Sequence, residues 1–132
     1  MILFMLAGVM AFATGTSLGT FGIMLPIAAA MAVKVEPSLI IPCMSAVMAG
    51  AVFGDHCPPI SDTTILSSTG AHCNHIDHVT SQFPYALTVA ASAASGYLAL
   101  GMTGSAPLGF VVTGIVMVIL IFILKDKKKA TA

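Results

Sequence analysis

Hydrophobic positions run along this chain in long stretches, and polar residues are confined to a few short interruptions. Pro107–Leu124 is almost purely apolar, and its 18 residues make about 27 Å of helix, enough to cross a bilayer. It begins on a proline, which helices accept in their first turn. Pro84–Gly101 predicts a second crossing, and its small residues, among them Ala90, Ser92, Ala94 and Gly96, allow the close backbone approach by which membrane helices pack. Met102–Ala106 is a short connection, so these two helices are expected to form an antiparallel hairpin.

Two further apolar regions are broken near their centres. Met1–Val33 is interrupted at Thr14-Gly15-Thr16-Ser17-Leu18-Gly19-Thr20, and Leu39–Ala71 at Gly54-Asp55-His56-Cys57-Pro58-Pro59-Ile60-Ser61-Asp62-Thr63-Thr64. Flanking arms of about 13 residues reach only about 20 Å as helix. Short helices around a polar break mark a discontinuous membrane helix or a re-entrant hairpin. Pro58-Pro59 removes two backbone donors, and unwound backbone at membrane depth is tolerated only inside protein or along a cavity.

Composition agrees with this pattern. Of 132 residues, 58% are hydrophobic and 8% charged, against about 25% charged in soluble domains, which excludes a soluble fold. The chain has no arginine, and four of its five lysines lie in Lys125–Lys129. Without clustered cations along its length, it has no basis for nucleic-acid binding. The positive-inside rule makes 125–132 a cytoplasmic basic tail. Ala11-Phe12-Ala13 resembles a signal-peptide cleavage site, but no basic segment precedes it. An opening apolar segment without flanking charge is instead the pattern expected of the end of a longer polytopic protein. Three cysteines, Cys43, Cys57 and Cys73, suggest no disulfide framework.

The candidate chemistry lies in the breaks. Asp55 and Asp62 are the two carboxylates set within apolar sequence, and an intramembrane acid usually serves an ion, proton or substrate path. Both could instead occupy a surface loop, with Asp62 capping a helix that starts near Thr63. Hydroxyls surround them: Thr14, Thr16, Ser17 and Thr20 in one break, Ser61, Thr63 and Thr64 in the other. Neutral oxygens beside carboxylates and freed carbonyls suit a small cation such as sodium. The N-terminus of the following helix would suit an anion instead, and any one of these hydroxyls could simply bond its own backbone. His72-Cys73-Asn74-His75-Ile76-Asp77-His78 reads as a polar cytoplasmic connection. It lacks the spaced second pair of a zinc site, and a titrating pH sensor fits it better. The residues call for no cofactor and no structural metal.

Read as strings, Phe12–Ala28 and Ala51–Ala71, with the continuation His75–Ala86, resemble the NhaC family of sodium/proton antiporters. The match covers roughly positions 12–86; the last two helices agree only in character. Trp is usual in that family where Leu18 stands, and Ser where Pro58 stands, so Pro58 brings no hydroxyl to the site. Family members are several times longer. The resemblance therefore implies the C-terminal portion of a transporter, holding the second of two inverted repeats, with the missing N-terminal repeat as its partner. It favours a hairpin over a single broken span for residues 1–33, and it implies ion-binding roles for Asp55, Ser61, Asp62, Thr63 and Thr64.

The expected fold is thus an all-α membrane protein. It is a polytopic helical bundle with a re-entrant hairpin or broken helix, a second broken helix and two C-terminal transmembrane helices, forming one membrane-embedded segment over 1–132. The expected function is sodium/proton antiport across the inner (plasma) membrane, with Asp55 or Asp62 binding either cation in turn and Thr14, Thr16 and Ser17 contributing oxygens. The alternatives are sodium-coupled exchange of organic anions such as malate and lactate, and a truncated remnant that does not transport. An intramembrane enzyme is disfavoured because no aspartyl signature accompanies the Asp pair.

Overall fold

The computed structural model describes the backbone of residues 1–130 and the side chains of residues 1–125. Most of the basic tail expected at 125–132 therefore lies outside the described residues. The described residues form six α-helices: α1 (Ile2–Thr14), α2 (Ser17–Val35), α3 (Ile40–Asp55), α4 (Asp62–Gly70), α5 (His75–Thr103) and α6 (Ala106–Ala130). A 3₁₀ turn over Pro37–Leu39 leads into α3, so that Pro37–Asp55 is one apolar helical stretch of 19 residues. Among the described residues, four segments are long and apolar enough to cross a membrane: Ser17–Val35, Pro37–Asp55, His75–Thr103 and Ala106–Lys125. The chain is a multi-pass helical membrane protein. It divides into two compact units, Met1–Ala86 and the residues from Leu87 onward.

In the first unit α3 is the centre. Gly50 of α3 lies against the Phe4 carbonyl of α1, and Gly54 lies against the Gly8 carbonyl and the Ala11 side chain. Residue numbers rise together along this contact, so α1 and α3 run parallel. The α2 helix meets α3 in the opposite sense: Ser17 touches Asp55, whereas Ala28 joins the core with Val47, Ala51, Ala7 and Ala11. It follows that α1 and α2 are the antiparallel arms of a hairpin. The reversal needs only Gly15 and Thr16. Gly15 takes a left-handed φ of 70° and donates its N–H to the Ala11 carbonyl at 2.8 Å, a helix stop that suits glycine because it has no Cβ. Thr16 then caps α2 by accepting from the Gly19 N–H.

The second break spans 56–61. The α3 helix continues through Asp55, and the following Pro58-Pro59 cannot prolong it. Ser61 is the N-cap of α4, accepting from the Thr64 N–H at 3.4 Å. Asp62 is therefore the first helical residue and not the expected cap; its acid still favours the positive helix end. After α4, His72 adopts a φ of 53°, and the Asn74 side chain accepts from the Ile76 N–H to start α5. The segment His75–Phe83, expected as a connection, is helical. Pro84 lies inside α5, where it removes one backbone bond without ending a membrane helix.

In the second unit the C-terminal part of α5 and α6 form the expected antiparallel pair. Gly96 faces the Gly109 carbonyl and the Thr113 hydroxyl, and Gly109 faces Leu100. Small residues at the crossing let the two backbones touch.

Candidate ion-binding site

Helix ends meet where the two breaks adjoin. The chain reversal at Gly15 and the start of α4 are joined by a hydrogen bond from the Asp62 N–H to the Gly15 carbonyl at 3.4 Å. Asp55, in the last turn of α3, is only 2% exposed. Its Oδ1 accepts from the Ser61 hydroxyl at 2.7 Å. Its Oδ2 accepts from the hydroxyls of Ser17 and Thr63, each at 3.1 Å. Three segments thus converge on one carboxylate: α2 through Ser17, the cap of α4 through Ser61, and the first turn of α4 through Thr63.

A fourth contact in this cluster decides its chemistry. The Ser61 and Thr63 oxygens are 2.8 Å apart, a hydrogen-bond distance. Each hydroxyl has one proton, so Ser17, Ser61 and Thr63 supply three protons to four oxygen–oxygen contacts. While Asp55 is ionised, one contact lacks a hydrogen. A single added proton on Asp55 completes the set: Asp55 donates to Ser61, Ser61 to Thr63, and Thr63 and Ser17 to Oδ2.

The other expected residues fall into distinct places. The Thr64 hydroxyl is buried beside this cluster's helix turn, with no hydrogen-bond partner among the described residues. Thr16 serves as the α2 cap. Thr14 is exposed and donates back to the Met10 carbonyl at 3.0 Å, the self-bonding use of a helix threonine. The Asp62 side chain is exposed. Of the two acids singled out in the sequence, Asp55 alone is surrounded by hydroxyls.

Beyond those residues lies His75, whose ring reaches both the Pro59 carbonyl, at 2.7 Å, and the Ser68 hydroxyl, at 2.9 Å. Its place in a string that also holds His72, Cys73, Asn74, Asp77 and His78 concealed it. Only the return of the chain after α4 brings it back to the 56–61 break.

A family model described as the Na+/H+ antiporter family matches residues 1–102. The chain belongs to the Na+/H+ antiporter family. It is also 63% identical, over 126 residues, to an uncharacterized protein of Haemophilus influenzae, a match that covers 96% of this chain and 24% of that protein. The chain thus spans about a quarter of the length of the curated relative it matches. No solved structure matches it. Family membership agrees with the resemblance carried by Phe12–Ala28 and Ala51–Ala71, both of which fall within the matched residues.

Proposed function

We propose that this chain forms part of a sodium/proton antiporter and that Asp55 is its coupling carboxylate. The observation that carries the reading is the proton deficit around Asp55: four oxygen–oxygen contacts share three hydroxyl protons about a buried carboxylate. Either a proton or a sodium ion makes up the deficit, and the two occupy the same oxygens. Mutually exclusive occupancy is sufficient to couple opposed fluxes when the site opens to each side in turn. Ser17, Ser61, Thr63 and the unpartnered Thr64 hydroxyl are the neutral oxygens in this scheme. Asp62, exposed in this chain, is available to the remainder of a longer transporter, whose further repeat would complete the site.

The lysines at 125–129 orient α6 with its C-terminal end in the cytoplasm under the positive-inside rule. The 34–37 turn then lies on the outer face. An organic anion at the same place would meet Asp55 and the first-turn Asp62, and the positive end of α4 is already occupied by the Ser61 cap. The arrangement favours a cation.

The test is sodium-driven collapse of a pH gradient in membrane vesicles that carry the complete transporter. Asp55→Asn is expected to abolish exchange, and Asp62→Asn to leave measurable exchange with an altered sodium KM. If both variants exchange like the wild type, the site assignment is wrong. If malate or lactate, but not sodium alone, moves the gradient, the anion-exchange reading replaces this one. A wild-type protein that moves neither is the non-transporting remnant.

A further inference from the structure

We propose that the outward face of α2 around Gly22 and Pro26 is a docking surface for a transmembrane helix from outside this chain, one that brings a side-chain hydrogen-bond donor to the Gly22 carbonyl. The inference rests on the reading of the chain as part of a longer transporter, and not on which ion that transporter carries.

It starts from the backbone donors of α2. Pro26 lies inside the helix and has no N–H, so the Gly22 carbonyl loses the donor that an α-helix would supply four residues on. Ser17–Val35 is α-helical throughout, and no 3₁₀ turn re-routes a bond to it. The hydroxyls that α2 could fold back are used elsewhere: Ser17 donates to Asp55 at 3.1 Å, and Thr20 to the Thr16 carbonyl at 3.0 Å. Every residue from Phe21 to Val33 is apolar. The other α-helical prolines leave no such group in apolar sequence. Pro42 and Pro107 stand in the first turns of α3 and α6, where N–H groups have no helical partner in any case. Pro84 frees the carbonyl of Thr80, which lies in the polar opening of α5 beside the exposed Ser81.

Gly22 is also where an outside donor can reach the backbone. A Cβ there would meet nothing within 4 Å. Gly22, Pro26 and Ala30 follow one another at intervals of one turn, and all three are exposed; the opposite side of α2, with Thr20, Ala28 and Ala32, is buried. Lipid tails carry no donor, so a membrane helix with an interior proline relies on neighbouring helices or ordered water to satisfy the freed group. Water alone does not fit, because an ordered water needs about two to four polar partners and the side chains of this face offer it none. A helix does fit: it can approach closely where side chains are small and reach the carbonyl with a Ser, Thr, Asn or Gln. This chain spans about a quarter of the curated relative it matches, and the greater part of a protein of that length is there to supply such a helix.

The test uses the complete transporter in membranes, with Ile23, 53% exposed next to Gly22, replaced by the photo-cross-linker p-benzoylphenylalanine. Irradiation should join position 23 to a transmembrane peptide outside residues 1–132, identified by proteolysis and mass spectrometry. Pro26→Ala returns the N–H that Gly22 lacks, so the cross-link yield should fall about threefold to tenfold, the worth of one neutral hydrogen bond. Gly22→Leu covers the carbonyl from the open side and should lower the yield as well, which separates the effect from any change of folding particular to position 26. Gly22→Cys, in a Cys43→Ser, Cys57→Ser, Cys73→Ser background, should stay closed to a water-soluble maleimide. Cross-links to lipid alone, or to residues 1–132 of a second copy, would overturn the proposal. Rapid maleimide labelling would overturn it in favour of a water-lined wall, and an unchanged yield in Pro26→Ala would show that the carbonyl plays no part. None of these readouts needs sodium-driven exchange, so the antiport reading can fail in vesicles while the docking surface stands.

Discussion

Substituting Gly54 by alanine probes the contact that sets the position of Asp55. A Cβ at residue 54 would overlap the Gly8 carbonyl oxygen and come within 2.9 Å of both the Gly8 carbonyl carbon and the Ala11 Cβ. Two of these obstacles are backbone, so no rotamer change relieves them and α1 must shift away from α3. Forcing a methyl group into a packed interior costs about 1–3 kcal/mol, and a site walled by backbone belongs at the upper end. The same substitution at Gly22, where a Cβ meets nothing within 4 Å, should be neutral or stabilising by up to about 1 kcal/mol, because alanine is the better helix former. Gly8→Ala, whose nearest obstacle is the Gly50 carbonyl oxygen at 3.3 Å, should fall between them. The assay is reversible unfolding of the purified protein in mixed detergent micelles, titrated with a denaturing detergent, with sodium-dependent exchange of the complete transporter measured alongside. The expected order of stability is Gly22→Ala, then Gly8→Ala, then Gly54→Ala, with exchange lost in the last. Stability in Gly54→Ala equal to that in Gly22→Ala would refute the parallel α1–α3 contact and the hairpin deduced from it.

Other substitutions address the cluster and the second unit. Ser17→Ala removes the one contact to Asp55 that comes from α2, and the sodium KM should rise about tenfold, the equivalent of one bond to a charged group; an unchanged KM would detach the hairpin from the site. Thr64→Val exchanges a buried, unpartnered hydroxyl for a methyl of like shape, so thermal stability should hold or rise while sodium affinity falls. A loss of stability with unchanged affinity would show that the hydroxyl has a structural partner. Gly96→Ala places a Cβ onto the Thr113 hydroxyl and 2.9 Å from the Gly109 carbonyl oxygen, and should lower stability by about 1–3 kcal/mol. Adding Thr113→Ala should recover part of that loss, and equal stability in the single and double variants would contradict the α5–α6 crossing.

How much of this was legible in the sequence follows from the range of each interaction. Charge-free stretches and the Pro58-Pro59 pair are local signals, and they located the helices, both breaks and the short connection before α6. The boundaries were missed where a local signal pointed the wrong way. Pro84 suggested a helix start, but α5 begins at His75 because Asn74 caps it. The polar run 14–20 suggested a long interruption, but Ser17, Gly19 and Thr20 are helical once Thr16 has capped α2. Within the site, periodicity could not separate Asp55 from Asp62, since both stand in the same break. Only the approach of α2, 38 residues away in the chain, shows which acid Ser17 serves. Nor could spacing show that Gly50 and Gly54 face α1, because parallel packing joins residues far apart in sequence. The His75–Pro59 contact has the same origin: it spans 16 residues and depends on the turn after α4.

The Gly15 carbonyl bears on how the two breaks are assembled. Its partner is the Asp62 N–H, 47 residues further along the chain, so the turn between α1 and α2 is made long before the amide that completes it. The reversal at Gly15 therefore closes onto the start of α4 only after α3 and the 56–61 break have been synthesised, and a ribosome stalled before Asp62 should leave a label placed at that turn open to reagent.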